Sequence, residues 1–179
     1  MKILKYASLG FVGILLAAVA ILFILANRED ANKMTVSVEI DKSPAELWPW
    51  LEEPAKIKQW VGWVVEIKSL TPGKQGVGAK AHWVMEDLNN GGERVEMDDE
   101  VIEYVPLKKI ATRLSATGSF TGESSYVLED LGGKTRLTAT GRYDFGSTFV
   151  KLLTALVMSS ASDKLKDDMI RLKGLVEKR

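Results

Sequence analysis

A chain of 179 residues has room for one ordinary domain and an appendage. Its 24 Lys and Arg balance 24 Asp and Glu, so no charge excess draws it to nucleic acid or to an acidic surface. With no cysteine and a single histidine, disulfides, thiolate chemistry and Cys- or His-rich metal centres are excluded, and no metal or cofactor is expected.

Residues 1–6 form a short basic tail with Lys2 and Lys5. Residues 7–26, ASLGFVGILLAAVAILFILA, are twenty positions without a charge. At about 1.5 Å per residue such a helix just spans a hydrocarbon core of about 30 Å. The competing reading is a cleaved signal peptide. Against it, the apolar run exceeds the usual length of that segment, and Ile24-Leu25-Ala26 is a poor cleavage site. The expectation is a retained single-pass anchor in the plasma (inner) membrane. Lys2, Lys5 and the amino terminus against Arg28 and Lys33 lean slightly towards a cytoplasmic N-terminus, which leaves the C-terminal domain expected outside the cytoplasm. Residues 27–33 are a short polar linker, and the domain occupies residues 34–179.

Thr35 to Ile40 alternates, with Val36, Val38 and Ile40 on one face of a half-buried strand. Ser43-Pro44-Ala45-Glu46 is an N-cap, a proline at the first helical position and a capping box. It opens a helix carrying Leu47, Trp48, Trp50 and Leu51, which stops before Pro54; a second short helix runs from Ala55 to Trp60. From Gly62 the period becomes two, with Trp63, Val65 and Ile67 on one face. The next strand places Ala79, Ala81, Trp83 and Met85 together. Asn89-Asn90-Gly91-Gly92 is a hairpin signal. Arg94 to Tyr104, Ile110 to Thr117, Phe120 to Glu129 and Thr135 to Phe145 complete six strands in succession. In the last, Leu137, Ala139, Gly141, Tyr143 and Phe145 share the inward face. Short turns between successive strands predict an antiparallel sheet. Ser147 to Arg179 then reads as one helix of about thirty residues. Its front half is apolar nearly all round, and its back half is a stripe of Ala161, Leu165, Met169, Leu172 and Val176.

This order, with its local wording, resembles the START-like superfamily, also called SRPBCC or helix-grip, and most of all its polyketide cyclase/dehydrase and lipid-transport branch. The matching stretches are Ile40-Asp41-Lys42-Ser43-Pro44-Ala45-Glu46-Leu47-Trp48, Trp60, Pro72-Gly73 with Val77-Gly78, and Glu103-Tyr104-Val105-Pro106. Further on come Tyr126-Val127-Leu128-Glu129, Gly132 to Thr138, and Leu172 to Glu177. The resemblance covers residues 34–179 and leaves out the anchor. It implies an α+β helix-grip fold, a curved antiparallel sheet of about seven strands, ordered β-α-α-β6-α, around a long C-terminal helix; the apolar run of residues 7–26 adds one transmembrane helix before it. It also implies a cavity for a hydrophobic ligand. It carries over no catalytic residue, because such folds share a shape and not a reaction.

The expected pocket comprises Trp63, Trp83, Met85, Met97, Ser124, Tyr126 and Tyr143 from the sheet, beside Phe145, with Phe149, Leu153 and Leu156 from the helix. Apolar walls with a few hydroxyls suit a lipid, quinone or polyketide-like guest. The same aromatics read equally as the core any sheet-on-helix protein needs. Asp99 falls in phase with Met97 and Val101; on an inner face it would be a buried carboxylate and a candidate general base. The neighbouring Glu96, Asp98 and Glu100 alternate away from it, and His82 shares a face with Lys80 and Glu86 on the solvent side. Trp48, Trp50, Trp60 and Trp63 crowd closely enough to suggest a pocket mouth or a membrane interface. Three functions follow: a membrane-tethered binding domain for an apolar molecule, a cyclase/dehydratase-type enzyme using Asp99 or a tyrosine hydroxyl, or an interaction module with a closed core.

Overall fold

The structure, a computed structural model, describes residues 2–28, 30–87, 92–146, 150 and 153–178. The expected hairpin at Asn89-Asn90-Gly91 and the pocket residue Phe149 lie outside these. Helix α1, Lys2–Ala26, is followed by strand β1, Lys33–Ile40, whose alternating burial ends on fully buried Ile40. In α1 the described side chains begin at residue 11. Among the described residues no helix is long and apolar enough to cross a membrane, so the span expected over residues 7–26 is not a finding of the structure.

Three short helical segments follow in place of the two expected: α2, Pro44–Leu47; α3, Pro49–Glu52; and α4, Pro54–Trp60. Each opens on a proline. Pro49 has no N–H to continue the ladder of α2, so the expected first helix splits at Trp48, which ends one segment and starts the next. Glu46 accepts hydrogen bonds from the Ser43 N–H at 3.0 Å and the Ser43 hydroxyl at 2.8 Å, which starts α2 where the sequence signal placed it.

The six remaining strands are β2, Val64–Ser69; β3, Lys80–Asp87; β4, Glu93–Val105; β5, Lys109–Ala116; β6, Phe120–Asp130; and β7, Thr135–Phe145. They form one antiparallel seven-stranded sheet in the order β1-β7-β6-β5-β4-β3-β2. The first strand thus closes beside the last, and β1 and β2 are the edges. A bulge between Val64 and Glu66 inverts the expected face at the start of β2. Val64 is buried opposite Met85 while Trp63 and Val65 turn outward; Ile67, past the bulge, is inward as expected.

The C-terminal helix, α5, spans Thr154–Glu177. The stretch from Ser147 expected to open this helix lies mostly outside the described residues; at the N-cap of α5, Leu153 closes a tight turn onto the Val150 carbonyl. Its packed stripe is Thr154, Met158, Leu165, Asp168, Met169, Leu172 and Val176. Leu156 lies roughly 200° around the helix from Thr154 at about 100° per residue. It is 58% exposed, and so cannot line an interior pocket.

The core divides into two apolar clusters. One joins α2–α4, β1, the near ends of β5–β7 and the back half of α5, with Ile40, Leu47, Trp60, Leu137, Met169 and Leu172 at its centre. The other gathers Val64, Met85, Met97, Leu114 and Ala116, packed by Trp83, Phe120 and Tyr143. Trp48, Trp50 and Trp60 are buried in the first cluster and hence unavailable to a membrane surface; Trp60 is 2% exposed and donates its indole N–H to the Trp50 carbonyl.

Candidate functional site

Between the two clusters the inner face of the sheet changes chemistry. Along β4 it reads Met97, Asp99, Val101; along β5 it reads Leu114, Thr112, Ile110; along β6, Gly122, Ser124, Tyr126. In β4 and β5 a polar residue separates a side chain of one cluster from a side chain of the other, and in β6 Ser124 stands between Gly122 and Tyr126, the latter packed against the first cluster. Register aligns these polar positions: Thr112 pairs with Ser124, Ser124 pairs with Gly141, and Asp99 is the diagonal neighbour of Thr112. The result is a polar seam crossing four strands of an otherwise apolar face.

Tyr143 completes it. Its ring lies flat along its own strand over two glycines. A Cβ at Gly141 would meet the ring and come within 2.8 Å of its hydroxyl, and one at Gly122 would meet the ring edge. Only residues without side chains leave room for that posture, which carries the phenol hydroxyl back over Gly141, beside Ser124. Phe120 supports the ring edge-on at a centroid distance of 5.6 Å. Replacing Gly122 with alanine is expected to cost about 2 kcal/mol. The new Cβ would sit 2.5 Å from the Arg142 backbone carbonyl, which cannot swing aside. Gly141→Ala should cost clearly less, since it meets only the far end of the Tyr143 side chain. Urea unfolding of the two variants checks the order; equal costs would show that the tyrosine, not the backbone, governs both.

Burial governs the titration of the seam. Loss of solvent pushes the Asp99 carboxyl up to about 7, with the adjacent Thr112 hydroxyl pulling the other way. Desolvation pushes the Tyr143 phenol up to about 12, and an ionised Asp99 pushes further in the same direction. Tyr126, also buried, is raised too, first by desolvation and then by the charges of Tyr143, Asp168 and Asp99. Both phenols are therefore neutral donors near pH 7, and Asp99 is poised between its two forms. Among the described residues Asp99 has no cationic partner, and its Oδ1 accepts no hydrogen bond; the Trp83 indole N–H on the next strand likewise donates none. The Thr112 and Ser124 hydroxyls lie 3.3 Å apart and bond to each other.

Of the pocket residues expected from sequence, Trp83, Met85, Met97, Ser124, Tyr126 and Tyr143 share this inner face, and Asp99 joins them. Leu153 is half-buried at the start of α5. Trp63 does not belong: at 36% exposure, it stands on the turn after α4 and donates its indole N–H to Asp168 on α5. Leu156 is outside as well. Thr112 was not anticipated, although its position in phase with Ile110 and Leu114 is a legible signal. His82 lies outward, 2.8 Å from Asp98 and 3.6 Å from Glu96, and these acids hold its imidazole above the usual range.

A groove of about 460 Å³ opens elsewhere, where the end of α1 meets β1 and the front of α5, lined by Leu25, Arg28, Lys33, Met34, Met158 and Asp163 among others. It is open, charged at its rim and four strands away from Asp99. The chemistry is concentrated on the seam, and the groove is a junction between segments.

A curved antiparallel sheet closed by a C-terminal helix, with a polar seam on its apolar inner face, defines a helix-grip domain. The chain belongs to the polyketide cyclase/dehydrase and lipid transport family, whose model matches residues 31–177. That membership implies a hydrophobic small molecule as ligand. No curated protein matches the chain. Solved structures share the fold: a conserved protein from Geobacillus kaustophilus superposes with a TM-score of 0.68 at 13% identity, covering 82% of this chain and 95% of that one. A protein of Thermus thermophilus gives a TM-score of 0.65 at 19% identity, with 80% and 96% covered. One from Nitrosomonas europaea gives a TM-score of 0.66 at 14% identity, with 84% and 97% covered.

Proposed function

We propose that this protein is a membrane-anchored binding domain that holds a hydrophobic small molecule against the seam, between sheet and C-terminal helix, and exchanges it with the adjacent bilayer. The observation that carries the reading is the seam itself: buried donors and acceptors, two of them without partners, set in an apolar face. An ordinary core has no use for a desolvated carboxyl there. The anchor is supported by α1, 25 residues whose described apolar side chains face outward on every side, Phe11, Ile14, Leu16 and Ile24 each more than 60% exposed. A helix greasy all round needs a greasy medium.

The test is native mass spectrometry of the full-length chain released from detergent micelles, followed by organic extraction. One apolar molecule in defined stoichiometry is the expected result. Trp83→Glu or Tyr143→Lys, each placing an unpaired charge on the inner face, should lower its occupancy roughly tenfold or more. Unchanged occupancy in a folded variant would remove the seam from the binding site. Orientation is open to single-cysteine labelling, since the chain has no cysteine of its own. In Glu100→Cys, reaction with an impermeant reagent in intact cells would set the domain outside the cytoplasm, and protection would set it inside.

One observation favours a second reading, a cyclase/dehydratase-type enzyme. Asp99 faces inward, has no cationic partner among the described residues, and is pushed up to about 7, where a general base is effective at neutral pH. Turnover of an aromatic polyketide-like substrate that disappears in Asp99→Asn, with binding intact, would establish it.

A further inference from the structure

Trp83 Nε1 and Asp99 Oδ1 are closed to solvent and lack a hydrogen-bond partner among the described residues. They belong to one place. Trp83 pairs with Met97 and Asp99 with Ala81, so the two side chains are diagonal neighbours on the inner face of adjacent strands, with Cβ atoms about 7 Å apart. The indole can only donate and a carboxylate oxygen can only accept. A guest that satisfies both must therefore accept one hydrogen bond and donate another. Facing the ionised form of Asp99, a carbonyl or ether cannot donate, an ammonium cannot accept the indole hydrogen bond, and a carboxylate would be a like charge. A hydroxyl does both through one oxygen. The walls around the pair, Met85, Met97 and Leu114, are buried and apolar, and the two thioethers conform to a bulky guest.

We infer that the ligand is an apolar alcohol or phenol whose hydroxyl accepts the Trp83 indole hydrogen bond and donates to Asp99. This rests on the binding function proposed above and narrows it from hydrophobic molecules at large to hydroxylated ones. A site that hydrogen-bonds a hydroxyl rejects the analogue lacking it, because its own groups are then left unpaired.

The experiment uses the full chain in detergent micelles, labelled with nitrogen-15 at its five tryptophans, and two probes, 2-naphthol and naphthalene. The Trp83 indole signal is identified by its loss in Trp83→Phe. 2-Naphthol should move that signal downfield, saturably, and bind roughly tenfold or more tightly than naphthalene. The preference should collapse in Trp83→Phe and in Asp99→Leu. Equal affinity for both probes, with a saturable response, would overturn the hydroxyl assignment and leave apolar binding standing. If neither probe binds, the molecule extracted from the protein decides: a mass gain on acetylation supports the inference, and no gain overturns it. No probe binding and nothing extracted would overturn the proposed function together with its refinement.

Discussion

Asp99→Asn is expected to stabilise the fold by about 3 kcal/mol at pH 8 and by only about 0.5 kcal/mol at pH 4. The carboxyl is held at about 7 in the folded protein against an ordinary value of 3.8, and every tenfold change in proton affinity corresponds to about 1.4 kcal/mol. At pH 4 the folded carboxyl is protonated and the unfolded one only a little over half ionised, so the penalty is still about 0.5 kcal/mol. Between about 4 and about 7 the unfolded chain has released its proton while the fold retains it, so stability falls as pH rises. Above about 7 both are ionised and the penalty is complete. Asparagine keeps the shape and a group to face Thr112 without the charge. Structural relaxation and water entry trim the full penalty of about 4 kcal/mol, hence the smaller figure. His82 also loses stabilising charge as pH rises through its raised value, but it is present in both proteins and cancels in their difference. Urea unfolding at pH 4 and pH 8 provides the measurement. Parallel curves for wild type and variant at both pH values would mean the carboxyl is solvated, and the seam would lose its central member.

The order of elements was legible because the apolar period switches cleanly from one helical region to strict alternation and back. Thr135 to Phe145 alternates without fault, and Leu137, Ala139 and Tyr143 face inward in phase. Alternation failed where one residue was added. The bulge at Val65 turned Trp63 out of the pocket and put Val64 in, and nothing in the local residue types announces it. Pro49 did announce the break after α2, since a residue without an N–H marks a boundary. Asp99 could be placed by phase alone. That it stands in line with Thr112 and Ser124 could not, because cross-strand register comes from turn lengths and bulges, including the one between Val101 and Glu103. The posture of Tyr143 was hidden for a different reason: two glycines roughly twenty residues apart mean nothing until the ladder sets one strand against the other.

Asp168→Ala should destabilise the protein by about 3 kcal/mol, the largest loss from any single side chain on α5 outside its apolar stripe. Asp168 is 5% exposed, and its two oxygens serve three donors: the Gly62 N–H at 3.0 Å, the Trp63 indole N–H at 2.9 Å and Arg171 at 3.2 Å. Arg171 also donates to the Trp60 carbonyl at 3.0 Å, so one turn of α5 grips the whole Trp60–Trp63 turn. The position was readable, three residues after Leu165 and four before Leu172 on the buried face, but an aspartate in a run as charged as Asp163 to Lys173 passes for solvent-facing. Burial pushes the Asp168 carboxyl upward while these donors pull it down, and the net shift is upward, so the charge as such contributes no gain. What alanine would remove is the acceptor that the Gly62, Trp63 and Arg171 donors share. Asp168→Asn separates the two effects. Its amide oxygen can accept from some of these donors, but its amide nitrogen opposes the rest, so its cost should fall between wild type and alanine. Unfolding free energies of the three proteins, with the Trp63 indole resonance as a local reporter, test this directly. A loss below about 1 kcal/mol in alanine would mean that water replaces the carboxylate, and that apolar packing alone holds α5 to the turn before β2.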